Sequence, residues 1–185
     1  MGKLTCAITG YRPSRFRFKY NENNKDCKRI KRRMEEQFSL LYQKGVHHFI
    51  VGGALGVDMW AGEILLAMKE KSEFSEIKLT MALPFEGYDV DWDRVSRERK
   101  NQIQKQAEVL VIGKEPGTPS YTKRNHFMVD HADIVLAVYD NDRKIRSGTA
   151  LTVRYAERKE RPVILIHPDN GKVSCIGSSN TFLEN

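Results

Sequence analysis

Short apolar runs alternating with stretches of helical period dictate what this chain can fold into. Residues 4–9, 47–51, 77–83, 108–112, 134–139 and 163–167 read as strands, and helices are predicted over 26–44, 57–71, 91–106, 121–131 and 149–159. In the first helix Ile30, Met34, Phe38 and Leu41 recur on one face, and Gly45 supplies a C-terminal stop. Asp91 or Asp93 caps the third helix. Most of the strands are nearly continuous apolar runs, which requires cover on both faces. In a chain that alternates strand and helix, that means a parallel sheet between two helical layers. The expected class is α/β, a Rossmann-like, doubly wound, mainly parallel sheet. Residues 1–167 are expected to form one domain, and 168–185 a polar tail whose structure the sequence leaves open.

Length and composition narrow the setting. A chain of 185 residues, 40% hydrophobic, supports one well-formed core. No apolar stretch approaches the roughly 20 residues of a membrane helix, and the N-terminus runs straight into the first strand instead of a signal peptide. Cys6, Cys27 and Cys175 are odd in number and far apart, so free thiols in a reducing cytoplasm are expected. The net charge of +7 tilts the chain toward polyanionic partners. Lys25, Lys28, Arg29, Lys31, Arg32 and Arg33 read as the solvated face of a helix. Arg12, Arg15, Arg17 and Lys19 differ, because they follow a glycine at a strand end.

A doubly wound sheet binds ligands outside the carboxyl ends of its strands, where strand order reverses. The informative residues fall there. Gly52-Gly53-Ala54-Leu55-Gly56-Val57-Asp58 follows the second strand, where glycines let bare backbone approach a phosphate and the next helix offers its N–H groups. The spacing is neither G-x-G-x-x-G nor a P-loop. Asp58 is also what a helix first turn favours on its own. Gly10-Tyr11-Arg12 follows the first strand and sets an aromatic for stacking and a guanidinium for phosphate beside the crevice, or else forms an ordinary turn. Arg124-Asn125 can point donors at a phosphate or base, or lie in solvent. Ser147-Gly148-Thr149 forms a small anion nest at a helix start, with Ser147 or Thr149 as cap. Trp60 and Met68 read as core, and Asp130 and Asp133 as turn caps. The histidines stand at no metal-ligand spacing, so neither metal nor cofactor is expected.

Taken in order, Ile8-Thr9-Gly10-Tyr11-Arg12, the run from Val51 to Ala61, Lys123-Arg124-Asn125, the run from Asp133 to Tyr139 and the run from Ser147 to Val153 resemble the SLOG superfamily. The likeness spans roughly 4–166 and is nearest the small bacterial YspA/YpsA/YoqJ-like proteins. It implies a Rossmann-like domain with a nucleotide or nucleic-acid phosphate site lined by Gly10, Arg12, Gly52, Gly53, Gly56, Asp58, Arg124, Asn125, Ser147, Gly148 and Thr149. LOG phosphoribohydrolases of that superfamily carry Pro-Gly-Gly-x-Gly-Thr-x-x-Glu with a catalytic Glu. Here the proline and paired glycines are absent and Thr152 stands where the Glu would be. A neutral hydroxyl cannot stabilise a developing oxocarbenium as a carboxylate does, so no catalytic residue is assigned. The expected function is binding of a nucleotide or nucleotide-derived ligand, as a sensor. Two alternatives stay open. One is single-stranded nucleic-acid binding of the DprA type, for which Arg12, Arg15 and Arg17 interleave with Tyr11, Phe16 and Phe18. The other is an N-glycosidase-like nucleotide hydrolase using Asp58 or another carboxylate. No membrane partner is expected, and a homo-oligomer is left open.

Overall fold

The computed structural model describes residues 3–177. In chain order the elements are β1 (Leu4–Gly10), α1 (Lys25–Gln43), β2 (Val46–Val51), α2 (Val57–Lys69), β3 (Lys78–Leu83), α3 (Arg94–Gln104), β4 (Glu108–Val111), α4 (Thr118–Asp130), β5 (Ile134–Val138), α5 (Gly148–Arg158), β6 (Val163–Ile166) and β7 (Val173–Ile176), with single 3-10 turns at Pro13–Arg15 and Ser72–Phe74. One sheet holds all seven strands in the order β4-β3-β2-β1-β5-β6-β7. Every pairing is parallel except β6 with β7.

That order fixes the layers. From β1 the chain steps outward through β2, β3 and β4, and then returns across β1 to β5 and β6. Right-handed crossovers therefore put α1, α2 and α3 on one face and α4 and α5 on the other. The strand order reverses between β1 and β5, whose residues pair from Cys6 with Ile134 to Gly10 with Val138. The middle of the sheet is fully enclosed at Cys6, Ile8 and Ile134 through Val138. Burial drives the Cys6 thiol well above its ordinary range, so it stays a neutral core side chain. Trp60, Phe38, Phe49 and Met68 fill the layer between the sheet and α1–α2. Each such side chain contributes about 1.5–3 kcal/mol by burial.

Caps explain where the helices begin. The Asp93 carboxylate accepts from the Ser96 N–H at 2.9 Å, which settles the choice between Asp91 and Asp93 and starts α3 later than its charge pattern suggests. Gly117 precedes α4 and Pro119 sits within its first turn, so this helix begins before Tyr121. Ser147, not Thr149, caps α5, its Oγ accepting from the Ala150 N–H at 3.0 Å. Within the polar C-terminal stretch, Val173–Ile176 adds an antiparallel edge strand to β6 after a turn in which Gly171 donates to the His167 carbonyl at 2.8 Å. The rest of that stretch, 178–185, lies outside the described residues.

Candidate functional site

At the carboxyl ends of β1 and β5 the diverging loops leave a cavity of about 300 Å3. Its floor is Ile8, Thr9 and Gly10 of β1. Its walls are the turn after β1 (Tyr11, Arg12, Ser14, Arg15), Ala54 and Asp58 before and within α2, the inner side of α4 (Tyr121, Arg124, Asn125, Met128) and the start of α5 (Ser147, Gly148, Thr149, Thr152). Nine of the twelve residues singled out in the sequence thus border one space: Gly10, Tyr11, Arg12, Asp58, Arg124, Asn125, Ser147, Gly148 and Thr149.

Gly52, Gly53 and Gly56 do not border it. The buried Arg124 guanidinium crosses from α4 and donates to the Gly52 carbonyl, and to the Ala82 carbonyl at 3.3 Å. A Cβ on Gly52 would run into that guanidinium and lie 2.8 Å from Asp58 Oδ2. Gly56 has a φ of +85°, and its Cβ would stand 2.9 Å from both Pro13 Cδ and the Tyr11 carbonyl. Tyr88 donates its hydroxyl to the Gly53 carbonyl at 2.7 Å. The three glycines therefore let neighbouring parts of the protein close on the loop, where the sequence suggested a phosphate.

Asp58, in the first turn of α2, turns its carboxylate back on the loop before the helix, and no side chain caps α2 itself. Asp58 Oδ2 accepts from the Ala54 N–H at 3.1 Å. Burial pushes the Asp58 carboxyl above its ordinary range, against the pull of the neighbouring Arg124 and Arg12 guanidinium groups. Burial also lowers the pKa of Arg124, which the Asp58 charge opposes. Arg124 Nε donates to Asn125 Oδ1 at 2.8 Å, leaving the Asn125 amide group for the cavity.

The α5 N-terminus is different. Ser147 Oγ satisfies only the Ala150 N–H, and Gly148 and Thr149, as the first two helical residues, have no intrahelical acceptor. Nothing lies within 4 Å of where a Gly148 Cβ would be. Thr152 Oγ1 donates to the Gly148 carbonyl at 2.8 Å, so its hydroxyl proton is committed to the helix. Arg12 is exposed, with its guanidinium carbon 5.4 Å from the Tyr121 ring centroid. Arg15 donates to the Arg146 carbonyl at 3.3 Å, which ties the turn after β1 to the loop before α5. Among the described residues Asp58 is the one carboxylate lining the cavity.

Two sequence expectations change. Tyr11 has an exposure of 5%, meets Phe16 and Tyr139 edge-on and donates its hydroxyl to Asp140 at 2.8 Å, so its ring is not free to stack on a ligand. Phe16 and Phe18 stack on each other at 4.8 Å and pack against Trp60, so the interleaved aromatics face the core and only Arg12, Arg15 and Arg17 face solvent. On α1, Arg29 pairs with Asp26, Arg33 with Glu36 and Lys31 with Glu22, in keeping with a solvated helix face. Tyr121 was not foreseen as a site residue. Its only sequence signal is an aromatic one turn before Arg124 on the same helix face.

Residues 6–170 match the sequence model of the YspA SLOG family. A UPF0398 protein of Halalkalibacterium halodurans is 27% identical over 158 residues, covering 84% of this chain and 82% of its own length. A UPF0398 protein of Bacillus cereus is 29% identical over 141 residues, 74% of each chain. Among solved structures, DNA processing protein A of Streptococcus pneumoniae aligns with a TM-score of 0.59 at 17% identity over 97% of this chain. DNA processing protein A of Helicobacter pylori, whose structure concerns its single-stranded DNA binding mode, aligns with a TM-score of 0.55 at 18% identity over 88%. The chain spans 53% and 65% of those two proteins, respectively, and what it shares with them is the fold.

Proposed function

Because the chain belongs to the YspA SLOG family, we propose that it binds a nucleotide or nucleotide-derived molecule in the cavity between β1 and β5, holding the phosphate at the α5 N-terminus and acting as a sensor. The observation that carries this reading is that unfilled N–H groups at Gly148 and Thr149 and the guanidinium groups of Arg12 and Arg15 line the same cavity. Backbone donors at a helix start and guanidinium groups are the two protein partners best suited to a phosphate. Asp58 adds no competing acceptor of full strength, since burial disfavours its charged form and its Oδ2 already takes the Ala54 N–H. Thr152 offers no carboxylate and its proton is committed, so binding without bond cleavage fits the wall better than hydrolysis does.

Thermal unfolding in the presence of nucleoside mono-, di- and triphosphates tests the reading. A ligand at 100 times its dissociation constant adds about 2.7 kcal/mol of stability. At least one nucleotide is expected to raise the melting temperature. No shift from any nucleotide, beside a shift from oligonucleotides, overturns it in favour of the second reading.

That second reading is single-stranded nucleic-acid binding, as described for the Helicobacter pylori relative. It is favoured by the exposed basic groups Arg12 and Arg15 lining the cavity, with Arg17 and Arg146 close to them in the chain or by contact. Oligonucleotide affinity would then fall steeply with salt, with a slope near −0.7 per phosphate neutralised.

A further inference from the structure

We infer that Tyr121 is the platform on which the ligand's heterocycle stacks, so that the bound molecule carries an aromatic base and is not a bare sugar phosphate. This rests on the phosphate-binding reading above and adds the other end of the ligand. Tyr121 is half-buried and lines two connected spaces, the main cavity and an annex of about 40 Å3 reached past Arg12, Ala54 and Arg124. Of the two tyrosines bordering the main cavity, Tyr11 is used up by its aromatic neighbours and Asp140. Tyr121 is only half-buried, and what stands over its ring is the guanidinium of Arg12 at 5.4 Å, exposed and movable, and that of the buried Arg124 at 5.7 Å.

The platform is held in place before any ligand arrives. Phe85 meets the Tyr121 ring edge-on, centroids 5.7 Å apart and planes at 87°. Phe85 in turn meets Tyr88 edge-on, and Tyr88 is fixed by its hydroxyl on the Gly53 carbonyl and by Trp92 at 5.5 Å. The loop bearing these rings is pinned by the ion pair of the buried Lys100 with Asp89, 2.6 Å long. A ring fixed in this way loses little entropy when a base lies on it. Arg12 completes the arrangement, because a planar guanidinium over an aromatic face can cover a stacked base as readily as it covers the ring itself. The annex, about 40 Å3 against about 300 Å3 for the main cavity, is by far the smaller space. The heterocycle therefore lies on the cavity side of Tyr121, between the ring and the phosphate-holding start of α5.

Calorimetric titration of the full chain with the four ribonucleoside 5′-monophosphates and with ribose 5-phosphate tests this. The unaltered protein is expected to bind at least one monophosphate about tenfold more tightly than ribose 5-phosphate, as base–aromatic stacking predicts. Tyr121→Phe keeps that margin. Tyr121→Ala removes it, bringing the monophosphates down to the affinity of ribose 5-phosphate, and Tyr121→Leu, which preserves apolar bulk without a π face, does the same if the alanine variant fails to fold. Equal affinity for ribose 5-phosphate and every monophosphate overturns the stacking platform while sparing the phosphate site. Loss of ribose 5-phosphate binding in Tyr121→Leu also overturns it, since the residue would then shape the cavity as a whole. If none of the five compounds binds, the phosphate-binding reading falls and the platform falls with it.

Discussion

The starts of α2 and α5 both open toward the cavity, and both follow loops that carry glycine, yet the two are used differently. At α2 the protein has brought its own groups. Asp58 takes the Ala54 N–H, Arg124 takes the Gly52 carbonyl, and Gly56 packs against the turn after β1. At α5 a serine caps one N–H, the next residues stay unfilled, and Gly148 faces open space. A glycine-rich loop before a helix therefore does not by itself locate a ligand. What differs is the preceding loop: Asp58, Arg124 and the turn after β1 close on the one before α2, while Gly148 stands clear of any neighbour.

The sharpest break of this contrast removes Arg124. Its guanidinium serves two buried carbonyls and offsets the Asp58 charge, so Arg124→Ala leaves several polar groups unpaired at once. A loss of about 3 kcal/mol or more is expected in urea unfolding, and Arg124→Lys is not expected to recover it, because a point charge cannot reach both carbonyls as the fork does. A loss below about 1 kcal/mol would mean the α2 loop does not depend on this closure.

Next in size is a matched pair of glycine substitutions. Gly56→Ala forces a side chain into a left-handed conformation and against Pro13 and the Tyr11 carbonyl, at a cost of about 2 kcal/mol. Gly148→Ala meets nothing and should leave stability within about 0.5 kcal/mol. On the proposed reading it nevertheless weakens binding of whichever nucleotide raises the melting temperature, since the methyl group enters the phosphate site. Equal stability losses in the two variants would erase the distinction between a closed and an open helix start. Ser147→Ala is smaller, about 1 kcal/mol from the lost cap, read by the same unfolding measurement.

How much of this was legible in the sequence depended on whether the cause was local. The strands β1, β2 and β5 were plain because each is buried on both faces, and the crevice followed from their order. Cap residues were ambiguous wherever two candidates stood close together, as at Asp91 and Asp93. The strand β7 escaped notice because a four-residue, half-exposed edge has no periodicity to show. Phe16 and Phe18 misled for a physical reason. Basic and aromatic residues alternate through a 3-10 turn and the turns after it, which leave the basic ones outside while the aromatics found Trp60. Tyr121 was invisible as a site residue because its position depends on Phe85, which is distant in sequence and reaches it only through the packing of the loop after β3.

The smallest expected effect bears most directly on what closes the loop before α2, and it is read through pH. Burial raises the folded-state pKa of Asp58, while in the unfolded chain it titrates near an ordinary value of about 3.9. Below that value both states hold the proton and the group contributes no pH dependence. Between that value and the raised folded one, the native state holds the extra proton, so unfolding free energy falls as pH rises through this window. Above the window the cost of a buried charge persists in full. Asp58→Asn keeps an oxygen for the Ala54 N–H and removes the titration, so the stability of the unaltered protein relative to this variant should decline as pH rises from about 3.9. The opposite slope would show the Arg124 charge prevailing over burial. The loop before α2 would then be closed by a full carboxylate of the protein's own, whereas α5 is proposed to take its anion from the ligand.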